Sequence, residues 1–189
     1  MSRIGYTLRA DNMKTTIAVI CALVILGRQT FGDERAVNIE ITETKITCQN
    51  NEYITNVELS SGSEDGKTTF TSKCTVVKEI PQDATCATDF YKKGDDGEFK
   101  KSAFAVSPSP CCEVMYDNEM YKKLLKGQKF PEKCPFGPGD YAVENYVIDH
   151  KNYAKAPLGE FRANFSSYEK DSKKCIYGAV VTVKITEKS

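Results

Sequence analysis

Alternation of apolar and polar residues organises most of the chain. Val37, Ile39 and Ile41 alternate with Asn38, Glu40 and Thr42, the period-two signature of a strand with one buried and one wet face. A second apolar run, 53–59, follows the turn-like Gln49-Asn50-Asn51, and 60–67, rich in Ser and Gly, reads as a loop. Over 68–80, Phe70, Cys74, Val76 and Ile80 share one face while Thr69, Thr71, Lys73 and Thr75 share the other, and Pro81 ends the run. Gly94-Asp95-Asp96-Gly97, flanked by Phe90-Tyr91 and by 99–106, is a hairpin-turn signal. After a Ser107-Pro108-Ser109-Pro110 linker the period changes: Val114, Met115, Met120, Leu124 and Leu125 recur three and four residues apart, and Gly127 stands where a helix would stop. Strand-like alternation then returns at 141–148. It continues at Phe161, Ala163 and Phe165 and at Tyr177, Ala179, Val181, Val183 and Ile185. Seven to nine strands and one short helix, without internal repeats, predict an all-β fold: an antiparallel sandwich or open cup.

The N-terminal segment stands apart from this pattern. Arg3, Arg9 and Lys14 precede an apolar stretch at 15–26, which has signal-peptide length, whereas a membrane-spanning helix needs roughly 20 apolar residues. Met13 is an alternative start, and an uncleaved anchor is the competing reading. The small-residue pattern Thr30-Phe31-Gly32 places cleavage before Asp33, so 1–32 is expected to be a signal peptide and 33–189 one β-rich domain. Removing the leader leaves 22 basic against 25 acidic residues, with no basic block, so phosphate neutralisation and nucleic-acid binding find no support.

Cysteine use agrees with a secreted, extracellular chain. Cys48, Cys74, Cys86, Cys111, Cys112, Cys134 and Cys175 remain in a domain bound for an oxidising compartment, where thiols pair. Seven is odd, so one stays free or bonds between chains, and the vicinal Cys111-Cys112 is the expected place. The sequon Asn164-Phe165-Ser166 offers Asn164 for glycosylation, and strand phase points it outward with Arg162.

Nothing in the chain reads as catalytic machinery. A Ser-His-Asp or Cys-His arrangement needs a histidine base, and the sole histidine, His150, lies beside Asp149 in a turn-like stretch. Asp95-Asp96 and Glu64-Asp65 read as turn residues. The chain has no Cys-x-x-Cys and no phosphate loop, so neither a metal nor a cofactor is expected. What stands out is the apolar content of 114–136, with Met115, Tyr116, Met120, Tyr121, Leu124, Leu125, Phe130 and Phe136. These side chains either plug the sheet as core or flank a cavity for an apolar guest, and periodicity does not separate the two.

The C-terminal half carries a resemblance. Cys134-Pro135-Phe136-Gly137-Pro138-Gly139-Asp140-Tyr141, then Pro157-Leu158-Gly159-Glu160-Phe161-Arg162, then Cys175-Ile176-Tyr177-Gly178-Ala179 resembles the ganglioside activator protein family, and Cys112-Glu113-Val114 resembles that family's cysteine at the head of a helix. Insect secreted chemosensory proteins of the same superfamily look as similar. The resemblance spans 111–185. It implies a disulfide-stabilised β-cup, two antiparallel sheets around an apolar cavity with a helix at the rim, and a non-enzymatic carrier that binds a lipid or other long-chain apolar molecule, in chemosensation among other settings. It also implies a Cys112–Cys134 pair and a partner near the N-terminus for Cys175, with Cys48 the nearest candidate. On that view Val76, Phe104, Met115, Met120, Leu124, Phe136, Val147, Phe161 and Phe165 form the hydrophobic wall. Expected partners are the lipid or hydrophobic small molecule itself, a membrane surface touched in passing, and a receptor or a disulfide-linked dimer. Three features depart from the family. Cys48 follows the first strand, Cys74 and Cys86 lack counterparts, and no tryptophan is present to form a membrane-inserting loop. The competing function is a secreted interaction module or effector whose cavity is merely core.

Overall fold

A computed structural model describes residues 35–116, 125–131 and 133–188, without the side chains of 103–106. The expected leader, Met120 and Leu124 lie outside the described residues. Eight antiparallel strands form among them: β1 Val37–Gln49, β2 Ile54–Glu64, β3 Lys67–Val76, β4 Thr85–Lys93, β5 Phe99–Pro110, β6 Gly139–Val147, β7 Gly159–Tyr168 and β8 Cys175–Glu187. A short helix, α1 Cys111–Tyr116, follows β5, and a 3₁₀ turn, His150–Tyr153, links β6 to β7. The strands make a five-stranded sheet in the order β1-β8-β7-β4-β5 and a three-stranded sheet in the order β2-β3-β6.

Strand phase decides which side chains meet. Tyr177, Ala179, Val181, Val183 and Ile185 of β8, with Phe161, Ala163 and Phe165 of β7, are buried, as are Phe70, Ser72, Cys74 and Val76 of β3. These inner faces join one apolar cluster, which also takes in Met115 of α1 and Phe136. The outer face of the larger sheet is polar: the Arg162 guanidinium and the Thr182 hydroxyl both donate to Glu43 Oε2 at 3.0 Å, and Arg162 stacks on the Phe99 ring. Gly178 must be glycine, because a Cβ there would lie 2.7 Å from Thr47 Oγ1 and 3.0 Å from Cys48 Sγ.

The strands depart from the sequence expectations at three places. Residues 60–64 are strand rather than loop: they pair with 67–71 across a two-residue turn, Asp65-Gly66, whose φ values of 50° and 70° are those of a primed hairpin turn. This arm belongs to an edge strand with both faces exposed, so it carries no alternation. The run beginning at Thr68 ends as a strand at Val76, short of Ile80. Ser107-Pro108-Ser109-Pro110 is no linker but the end of β5, the outermost strand of its sheet, where a missing N–H costs no ladder bond.

Three disulfides join Cys48 to Cys175, Cys86 to Cys111 and Cys112 to Cys134. Cys74 is therefore the free cysteine, and it is buried. This corrects the expectation that Cys111 or Cys112 would be left over: the β4–β5 register sets Thr85 against Pro110, which brings Cys86 to Cys111 at the head of α1. A dimer bonded through that vicinal pair has no free thiol to form it.

Candidate functional site

The two sheets are hydrogen-bonded separately and meet along one seam. Between them, the most extensive backbone approach is that of β1 to β2 and β3. There the Thr68 hydroxyl donates to the Ile39 carbonyl, while the Thr68 carbonyl accepts from the Ile148 N–H at 2.8 Å within the smaller sheet. At the other end of β1, the Tyr53 and Ile54 N–H groups at the start of β2 donate to the Asn50 carbonyl at 3.0 Å. Away from this seam, side chains and cross-links fill the gap. Tyr116 stacks on Phe136 with ring centroids 5.9 Å apart, Phe130 meets Phe136 edge-on, and Phe130 lies 5.5 Å from Tyr141. The backbone at Lys129 accepts from the Ala142 N–H at 2.7 Å, which docks this shelf on the free edge of β6. Its two phenols donate to carbonyls, Tyr116 to Pro131 and Tyr141 to Gly137. Burial pushes the Tyr116 phenol up to about 12 and the Cys74 thiol up to about 12, as expected in a dry environment.

Five of the expected wall residues converge on this interior. Val76 ends the inner face of β3, Phe161 and Phe165 lie on the inner face of β7, and Met115 and Phe136 close the α1 end, all buried in the one cluster. Phe161 is 8 % exposed, and the Lys92 ammonium stands 5.9 Å from its ring centroid. Phe104 lies on β5, its side chain outside the description, as are Met120 and Leu124 entirely.

Val147 is not a wall residue, since it is 41 % exposed. A bulge in β6 explains the correction. The ladder runs Ser72 to Val143 and then Phe70 to Tyr146, so one extra residue is accommodated near Asn145, whose φ is 48°. The phase flips there, turning Tyr146 and Ile148 inward and Val147 out. Tyr146 meets Phe70 edge-on at 5.9 Å. The alternation that marks Ile39, Val181 and Val183 as buried could have added them to the wall, and Phe90 and Val143 are further inner residues outside that selection. Tyr116, Phe130 and Tyr141 carried no period and were legible only as aromatic density.

The remaining candidates lie away from the interior. Asn164 is on the outer face of β7, between Asp89 of β4 and Val180 of β8, half-buried with its Oδ1 covered. His150 is in the 3₁₀ turn, and burial holds it below its ordinary value of 6.5 despite a hydrogen bond to Val37 backbone. The Asp149 carboxylate accepts from the Lys151 N–H at 3.1 Å as a turn cap. Among the described residues no group of three or more His, Cys, Asp or Glu side chains is placed to hold a metal ion, and no helix is long and apolar enough to cross a membrane. Among the described residues, two open surface pockets, of about 410 and 470 Å³, lie at the β7–β8 end beside Leu158 and Ile185 and at Gln82 and Glu113.

The model of a family described as a protein of unknown function, DUF1091, matches residues 87–163. Among solved structures, chicken MD-1 complexed with lipid IVa is similar to this chain at 11% identity, covering 75% of this chain and 96% of that one with a TM-score of 0.34. No curated protein matches the chain. Antiparallel sheets of five and three strands, a short helix after β5, and the Cys112–Cys134 and Cys48–Cys175 bonds are the features that the resemblance to the ganglioside activator family implied.

Proposed function

We propose that the protein is a secreted, non-enzymatic carrier that takes a lipid or another long-chain apolar molecule between its two sheets, with chemosensory transport as one setting. One observation carries this reading: among the described residues both inner faces are apolar, and the sheets approach each other most extensively by backbone at the β1 seam, on one side of that interior. Elsewhere apolar side chains lie between them, and the Cys112–Cys134 bond ties α1 to the segment that leads into β6. The described wall side chains cover one another almost completely, so a guest enters by displacing apolar contacts with its own. Each buried methylene contributes about 0.8 kcal/mol, so about ten of them offset the several kcal/mol lost on immobilising the chain. Three disulfides suit an oxidising, extracellular setting. Glycosylation at Asn164 belongs to the same reading, and the half-buried position of that amide means attachment before β7 settles between β4 and β8.

Native mass spectrometry of the full chain secreted from eukaryotic cells tests the reading. The expected result is a mass in excess of the chain and its glycan that disappears on denaturation and is recovered as lipid by solvent extraction. A guest-free protein recovered with a protein partner would replace the carrier with an interaction module.

A further inference from the structure

Ser72 sits at the middle of the inner face of β3, between Phe70 and Cys74 along that face. It is 0 % exposed, and its Oγ is buried without a hydrogen-bond partner. The residues beside it across the ladder are Leu59 of β2 and Val143 of β6, neither of which has a polar side chain. Cys74, next on the same face, brings only a thiol, a weak donor and weak acceptor. The contrast with Thr68, earlier on the same face, is direct: that hydroxyl finds the Ile39 carbonyl where the seam supplies one. A dry, unpaired hydroxyl is costly, and alanine at the same place would avoid the cost.

We propose that the Ser72 hydroxyl is the polar anchor of the guest site, so that the preferred guest is a long-chain molecule with one hydrogen-bonding oxygen within its chain, a ketone, ester or secondary alcohol, over a plain hydrocarbon. This rests on the carrier reading above and names its ligand class. The guest's tail replaces apolar contacts between the sheets, and its oxygen accepts from the Ser72 O–H. The preference arises because a hydrocarbon leaves that hydroxyl unpaired while the oxygenated chain satisfies it.

The test uses the full secreted chain, stripped of guest, with N-phenyl-1-naphthylamine as the fluorescent probe. Displacement is measured for a mid-chain ketone and for the alkene of equal length, on the wild type and on Ser72→Ala, with thermal unfolding in parallel. The wild type should prefer the ketone about tenfold. Ser72→Ala should bring that preference to about onefold while Tm stays level or rises, because no internal hydrogen bond is lost. An undiminished preference in Ser72→Ala overturns the proposal, as does a lowered Tm, which would mean that the hydroxyl is engaged inside the protein. Failure of both compounds to displace the probe from the wild type would instead bring down the carrier reading itself.

Discussion

The β1 seam and the α1 side of the molecule hold the same two sheets together by different means. At the seam, main-chain groups bind β1 to the smaller sheet: the Thr68 hydroxyl of β3 donates to the Ile39 carbonyl, and the Tyr53 and Ile54 N–H groups at the start of β2 donate to the Asn50 carbonyl just past β1. On the α1 side, the Cys112–Cys134 disulfide, Met115 and the Tyr116–Phe136–Phe130–Tyr141 shelf do the work, with Cys86–Cys111 anchoring α1 to β4. Main-chain pairing fixes a separation, because those groups must stay satisfied, whereas apolar side chains re-pack at modest cost. The first side therefore acts as a spine and the second as a lip.

The disulfides give the largest test of this difference. Cys48–Cys175 ties the spine across a sequence separation of 127, while Cys86–Cys111 and Cys112–Cys134 span 25 and 22 at the lip. Loop-closure entropy then assigns about 5 kcal/mol to the long bridge and about 3 kcal/mol to either short one. Replacing each pair by alanines and measuring denaturant unfolding should reproduce that order. Equal losses would mean that native-state packing, rather than chain restriction, sets the contribution of each bridge.

A smaller effect comes from pH, at the spine end of β1. Burial lowers His150, with Lys188 and Lys67 acting in the same direction and the Val37 backbone and Asp149 opposing them. The folded state thus favours the neutral ring. Stability from that preference is complete above the unfolded value near 6.5 and is lost as pH falls below it toward the lowered folded value. Denaturation midpoints should fall between about pH 7 and about pH 5.5, and His150→Gln should flatten the slope in that window. A slope identical in the variant would assign the effect to other groups.

Much of this architecture was legible in the sequence because side-chain alternation reports burial directly. The faces of β3, β7 and β8 and the Gly94–Gly97 hairpin turn stood out for that reason. What escaped were features in which alternation is interrupted or uninformative. The outer arm of β2 is wet on both faces, β5 tolerates two prolines only because it is an edge, and the bulge at Asn145 inverts the phase just before Val147. The odd cysteine was readable in part: Cys74 shares a face with Phe70 and Val76, which already marks it as buried, but its lack of a partner depends on the β4–β5 register that commits Cys86 to Cys111. Of the wall, strand phase located Val76, Phe161 and Phe165, whereas the aromatic shelf depends on how 125–136 folds back on β6.

The inward and outward members of the expected wall provide the most direct measurement. Binding of a fluorescent fatty acid should be abolished by Phe161→Asp, in which the new carboxylate has Lys92 nearby to keep the fold tolerable, and should match the wild type in Val147→Asp, which alters only the outer surface. If Phe161→Asp, folded by circular dichroism, takes up the probe as well as the wild type does, the guest does not lie between the sheets.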